Sequence, residues 1–280
     1  MTNVSRVWVD TDVALGSGRG DVDDGFAIAA LLGAARMRRI ELLGISTVSG
    51  NASASEAARC ARAIAFAAGS DVPVLRGADP RLPDSDAATA AATIAALPAG
   101  CRIVSIGPLS NIAAAILLSR DLPGRVSLSV VGGNLTSRGW LPPLWPHEFN
   151  LAKDRESARA VLGAPWRELV LYPLDAMRPL RCAAERVRRI SRAGPVGALL
   201  AEGSRRWLRR SRWRWGRAGF PVWDLPSALQ AAGAREVEVV PARFPPAQRR
   251  YSGIPENVSA AVAFDPQAAW REFDRLVASF

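Results

Sequence analysis

Histidine is almost missing from this sequence: His147 is the only one in 280 residues. Cysteine is scarce too, and Cys60, Cys101 and Cys182 lie far apart. These shortages argue against a zinc site, which draws on Cys and His in close pairs. An odd, scattered set of cysteines also gives no disulfide framework and fits a reducing cytoplasm. No apolar run reaches the roughly 18 residues that a membrane-spanning helix needs. Residues 26–35 are apolar, but Arg36, Arg38 and Arg39 end the run. The first ten residues lack a secretory-signal pattern and lead straight into a strand-like segment.

What is present is ordinary for a globular protein, with 49% hydrophobic and 22% charged residues and room for a sizeable core. The net charge is +10, carried almost entirely by arginine. Such a balance fits nucleic acid, an anionic small substrate, or simply the Arg- and Ala-rich composition of a high-GC genome.

Strand-like and helix-like runs alternate. Strands are expected at 7–10, 42–48, 72–75, 102–106 and 126–131, with helices at 23–36, 53–68, 86–97 and 111–119 between them. Ser53 followed by Glu56 reads as a capping box. Later come helices at 154–162, 183–193, 204–217 and 226–232, and strands at 169–174, 237–241 and 258–264. A closing amphipathic helix at 266–280 puts Trp270, Phe273, Leu276 and Val277 on one face. This alternation predicts an α/β fold: an open, mostly parallel, Rossmann-like sheet flanked by helices, in one domain over 1–280. Ligands of such sheets bind beyond the carboxyl ends of the strands. Asp10, residues 47–51, Gly107 and Gly132-Gly133 all fall at such ends.

The chemistry concentrates at the first strand end. Asp10-Thr11-Asp12 is followed, across the glycine-rich stretch ALGSGRGDV, by Asp21, Asp23 and Asp24. Carboxylates gathered this way repel one another unless a cation binds them. Hard oxygen donors point to magnesium, manganese or calcium. A helix N-terminus alone would account for Asp23 or Asp24, but not for Asp10 and Asp12.

These residues resemble the N-terminal signature of the inosine–uridine preferring nucleoside hydrolases. Further stretches follow in family order: GISTVSGN (44–51), SDVPVLRGAD (70–79), IGPLSNIAAA (106–115), VVGGNL (130–135), HEFNLAKDRESARAVL (147–162) and WDLPSAL (223–229). The resemblance covers nearly the whole chain. It implies hydrolysis of the N-glycosidic bond of a nucleoside or related riboside, with one calcium ion, or less readily magnesium. By similarity Asp12, Asp24, the Ile106 carbonyl and Asp224 would hold the ion, and Asp10 would support them. Asp12 would also be the general base on the attacking water. Asp23, Asn51, Glu148 and Asn150 would bind the sugar, and Trp223 could stack on the base. Family members are commonly dimers or tetramers. Blander roles stay open: a turn for Asn51, helix caps for Glu148, Asn150 and Asp224.

The chain departs from the family in several places. Ten residues, 13–22, separate the two aspartate pairs, where two or three are usual. Their amides could face an anion as a nest does, or they could form a flexible insertion. The histidine expected before Asp224 is Trp223, and His147 is the only candidate to replace it as an acid. A sugar-binding asparagine becomes Pro142, and RLPDSDAATAA stands in for a histidine–glycine loop. Finally, Arg205, Arg206, Arg209, Arg210, Arg212, Arg214 and Arg217 interleave with Trp207, Trp213 and Trp215. Arginine pairs with phosphate and tryptophan stacks on bases. That leaves a phosphorylated substrate, a non-catalytic nucleic-acid-binding protein, and a solvated basic helix as competing readings.

Overall fold

The computed structural model describes residues 4–17, 20–79, 85–136 and 148–280, with the backbone alone for 85, 86, 211, 212, 214 and 215. The chain begins β1 (Ser5–Thr11), α1 (Asp23–Arg36), β2 (Ile40–Thr47), α2 (Ala54–Ala67), β3 (Val74–Arg76), α3 (Ser85–Ala95) and β4 (Arg102–Ser105). It continues α4 (Ser110–Leu118), α5 (Leu122–Arg125), β5 (Ser127–Val131), α6 (Phe149–Lys153), α7 (Arg155–Leu162), β6 (Glu168–Tyr172) and α8 (Leu174–Met177). Then come β7 (Arg181–Cys182), α9 (Ala184–Ile190), α10 (Gly194–Trp215), β8 (Phe220–Pro221) and α11 (Leu225–Ala231). The last elements are β9 (Val237–Ala242), α12 (Pro246–Ser252), β10 (Val258–Phe264) and α13 (Pro266–Val277).

Eight strands form one sheet in the order β3-β2-β1-β4-β5-β6-β10-β9. Every pair is parallel except the edge hairpin of β9 and β10. This is the expected α/β architecture, and the late strands pair as the sequence suggests. β7 and β8 form a separate small antiparallel ribbon. The strand order reverses between β1 and β4, so a crevice opens where their carboxyl ends diverge.

Alternation along each strand divides the core. Val7, Val9, Val104 and Tyr172 join the cluster under α1, α10, α11 and α13, while Trp8, Ile103, Leu128 and Leu171 join the one on the opposite face. Buried parallel strands carry apolar side chains on both faces, which is why these runs read as continuously apolar. Helix α1 is enclosed from Asp23 to Ala34, so its acidic first turn is carried into the interior. Ser53 caps α2 by accepting the Glu56 amide at 3.2 Å. Trp270, Phe273, Leu276 and Val277 of α13 are buried as their spacing predicts. The arginine-rich helix differs: it begins at Gly194, well before residue 204. Its first turns are held by Val196, Leu200 and Ala201 in the core, so it is a packed helix extended at its end by charge. All three cysteines are free and buried. Among the described residues no helix is long and apolar enough to cross a membrane.

Candidate functional site

The carboxyl end of β1 carries two acidic side chains in different settings. Asp10 is fully buried. Its Oδ1 accepts from Ser46 Oγ at 2.5 Å and from Asn111 Nδ2 at 2.7 Å, and the Trp8 indole N–H donates to the same Ser46 oxygen at 2.9 Å. The other oxygen, Oδ2, has no partner. Asp12, also fully buried, accepts the Asn51 amide on Oδ2 at 2.5 Å, and its Oδ1 has no partner. Gly50 allows that approach, because a Cβ there would lie 1.9 Å from Asp12 Oδ2.

Helix α1 delivers the next pair. Asp24 Oδ1 accepts from Thr11 Oγ1 at 2.5 Å and from the Asp12 amide at 3.3 Å, which pins the helix start to the strand end. Asp23 Oδ2 accepts the Trp223 amide at 3.2 Å. That bond brings in the segment before α11, some 200 residues away in sequence. Asp224 stands at the N-cap of α11, yet its side chain makes no capping bond. The capping alternative therefore fails for Asp224, whose carboxyl instead interacts with those of Asp23, Asp24, Asp21 and Asp12.

Asp21, part of the acidic cluster in the sequence but not of the set the resemblance implies, joins these residues. Asp21 accepts from Asn51 Nδ2 at 3.1 Å, and oxygens of Asp21, Asp23 and Asp24 lie within 4.8 Å of one another. Its signal in the sequence was its place two residues before Asp23. Asn51 is thus no simple turn residue, since its backbone and side chain each hold a carboxylate. Ser46 and Asn111, which fix Asp10, were not singled out from the sequence, although both lie inside stretches that carry the resemblance.

The cost of crowding appears in the titration of these groups. Burial raises Asp10 from 3.8 to about 7, against the hydrogen bonds from Ser46 and Asn111. Burial and then the Asp21 charge raise Asp24 to about 7. Asp12, Asp23 and Asp224 are driven up as well, by burial first and by neighbouring aspartates second.

A second group of residues gathers at the ends of β4 and β5. Asn150 Nδ2 donates to the carbonyls of Ile106 and Val131, each at 3.1 Å. A carbonyl has two lone pairs, so Ile106 keeps one. Glu148 caps α6 by accepting the amides of Asn150 at 2.9 Å and Leu151 at 2.5 Å, and burial raises its carboxyl to about 8. Capping, the plainer alternative for Glu148, is thus present. Trp223 is buried, with its indole N–H donated to the Leu174 carbonyl at 3.1 Å, and its ring belongs to the core.

The insertion and α10 bear on two further expectations. In the insertion the amides of Gly16, Ser17 and Gly20 bind the loop's own carbonyls, those of Asp21, Ala14 and Ser17. They do not form an outward-facing anion nest. In α10, Arg206 and Arg210 are committed to that insertion: they donate to the carbonyls of Leu15 at 3.3 Å and Gly16 at 2.7 Å. Arg205, Arg209 and Arg217 are exposed. Pro142, His147 and the side chains of Arg212, Arg214 and Trp215 lie outside the described residues, as does part of RLPDSDAATAA.

The model of the inosine-uridine preferring nucleoside hydrolases matches residues 7–271. The chain belongs to that family. Solved nucleoside hydrolases share the fold. A plant enzyme, PpNRh1, superposes with a TM-score of 0.79 at 18% identity, covering 98% of this chain and 99% of its own. A purine-preferring ribonucleoside hydrolase from Gardnerella vaginalis gives 0.77 at 18% identity, covering 98% of each chain. In sequence, the pyrimidine-specific ribonucleoside hydrolase RihB of Escherichia coli K12 is 34% identical over 125 residues, 44% of this chain and 38% of that one. A RihB protein from Shigella boydii matches at the same identity over the same share of this chain and 50% of its own. The matched segment thus spans half or less of these relatives' length.

The residues suit the hard divalent cation that such a hydrolase would use. The donors are all oxygens, as magnesium and calcium require. Buried polar atoms without partners are rare in native proteins, and two of them, Asp12 Oδ1 and Asp10 Oδ2, sit on this cluster.

Proposed function

We propose that this nucleoside hydrolase family member is a divalent-metal-dependent N-ribohydrolase that splits a nucleoside into base and ribose, with calcium as its ion. The observation that carries the reading is Asp12. It is a fully buried carboxylate with one oxygen fixed by Asn51 and the other unpartnered, and burial first, then the charges of Asp24 and Asp21, push its proton affinity up. Asp12, Asp24, Asp224 and the free lone pair of the Ile106 carbonyl would hold the ion. A bound divalent ion supplies Lewis acidity that makes a water nucleophilic near neutral pH.

The protein's own part is proton transfer, orientation and charge. Asp12 Oδ1 would accept the water's proton, since that oxygen has no other partner and a carboxylate so placed can act as a general base. Asp10, locked by Ser46 and Asn111, would fix the end of β1 and so the attack direction. Asp23, Asn51, Glu148 and Asn150 would bind the sugar hydroxyls and hold the anomeric carbon in line. The acidic surroundings favour a transition state with oxocarbenium character. Trp223 gives no proton to the departing base, because its indole N–H is spent on Leu174. Leaving-group departure then depends on stabilisation of the sugar cation.

A reducing-sugar assay across nucleosides and 5′-nucleotides, comparing wild type with Asp12→Asn, tests this. Wild type should release ribose, and the variant should lose about 100-fold or more, the size of a missing general base. Equal release by both would remove Asp12 from the role. Release from nucleotides alone would move the substrate class to phosphorylated ribosides, with the exposed Arg205 and Arg209 as the next residues to change.

A further inference from the structure

The insertion between the aspartate pairs and helix α10 are the two features that the family resemblance does not explain, and they meet at Leu15 and Gly16. Leu15 and Gly16 take consecutive left-handed conformations, with φ of 47° and 70°, and the turn lies directly on α10. A Cβ on Gly16 would lie 2.5 Å from the Gly203 carbonyl oxygen, and one on Gly203 would lie 2.6 Å from the Leu15 carbonyl oxygen. The two backbones therefore touch through a pair of glycines, where no side chain fits. Arg206 and Arg210, one and two turns further along α10, donate to the carbonyls of Leu15 and Gly16 in that turn. On the other side Ser17 Oγ donates to Glu56 of α2 at 2.7 Å. The Gly16 amide then closes the turn on the Asp21 carbonyl at 2.8 Å. This places the Asp21 carboxylate against Asn51, within 4.8 Å of oxygens of Asp23 and Asp24.

We propose that the insertion is a strap that adds Asp21 as a further carboxylate ligand to the divalent-cation site, and that Arg206 and Arg210 are the positioning residues that fasten it. This rests on the metal reading above. An acidic cluster alone would not carry it; the buried, unpartnered Asp12 Oδ1 in the same cluster does. The two arginines thereby cap carbonyls of the strap at Leu15 and Gly16.

Calorimetric titration of calcium, and separately magnesium, into metal-free protein tests the proposal without any turnover. Asp21→Asn should weaken calcium binding about 10- to 100-fold, the range seen when a supporting group of a metal site is removed. Gly203→Ala changes no charge and suits a helix, yet its methyl would push the Leu15 carbonyl away. It should weaken binding several-fold, and should add little in combination with Asp21→Asn, because both act on one unit. Arg210→Ala removes a positive charge, which by field alone would tighten cation binding; a loosened strap weakens it. Arg205→Ala, an exposed arginine on the same helix, controls for charge and should not weaken binding, and Arg210→Lys should restore part of the loss. If wild type binds neither ion, the metal reading falls and this proposal falls with it. If wild type binds calcium and Asp21→Asn binds it equally, the strap reading alone is wrong. Should Asp21→Asn fail to fold, wild-type affinity in Gly203→Ala would overturn it as well.

Discussion

Without a divalent ion, the stability of this protein should fall as pH rises, and calcium should offset the fall. Asp24 is fully buried, and burial together with the Asp21 charge raises its carboxyl from 3.8 to about 7. Burial raises Asp10 to about 7 as well. In the unfolded chain both release their protons near pH 4. Between about pH 4 and about pH 7 the metal-free folded state therefore holds more protons than the unfolded state, and stability decreases with pH. The contribution is complete below about pH 4 and is gone once pH passes about 7. A displacement of about 3 pH at about 1.4 kcal/mol each is about 4 kcal/mol for Asp24 alone. At about 2 °C per kcal/mol for a protein of this size, that is on the order of 8 °C in Tm. A cation binds the deprotonated carboxylates, so its benefit grows as the apo protein weakens. Thermal melts by circular dichroism, in calcium and in EDTA, should differ by about 3 °C at pH 5 and on the order of 8 °C at pH 8. A gap that is the same at both pH values, or larger at pH 5, would refute the argument.

Two more outcomes follow from packing. Gly50→Ala would put a methyl 1.9 Å from Asp12 Oδ2, so ribose release should drop about 100-fold or more through misplacement of the base, with an unchanged circular dichroism spectrum; normal kcat would show that Asp12 is not held where the chemistry needs it. Trp223→Ala should cost about 3–5 kcal/mol in a urea titration, as removal of a buried aromatic does, with Trp223→Phe milder. A variant that keeps full stability and raises only KM would instead place the ring against substrate.

The sequence alone determined the alternation of strands and helices, and with it the parallel sheet, because periodicity and caps are local and these runs are long. It also marked Asp10, Asp12, Asp23 and Asp24, since so many carboxylates at one strand end have no local reason to be there. Contacts between distant segments were beyond it. Asp224 is freed from capping and turned to the cluster, Glu148 caps α6, and Trp223 is buried in the core; each outcome depends on what surrounds the side chain. The same holds for the least readable segments. From composition the arginines of α10 looked like a surface for phosphate, and GSGRGD like an anion nest. Only the folded chain brings Gly16 onto Gly203, gives Arg206 and Arg210 the insertion's carbonyls to bind, and sets Asp21 among the other carboxylates, because backbone hydrogen bonding is satisfied by whichever partner the tertiary structure puts within reach.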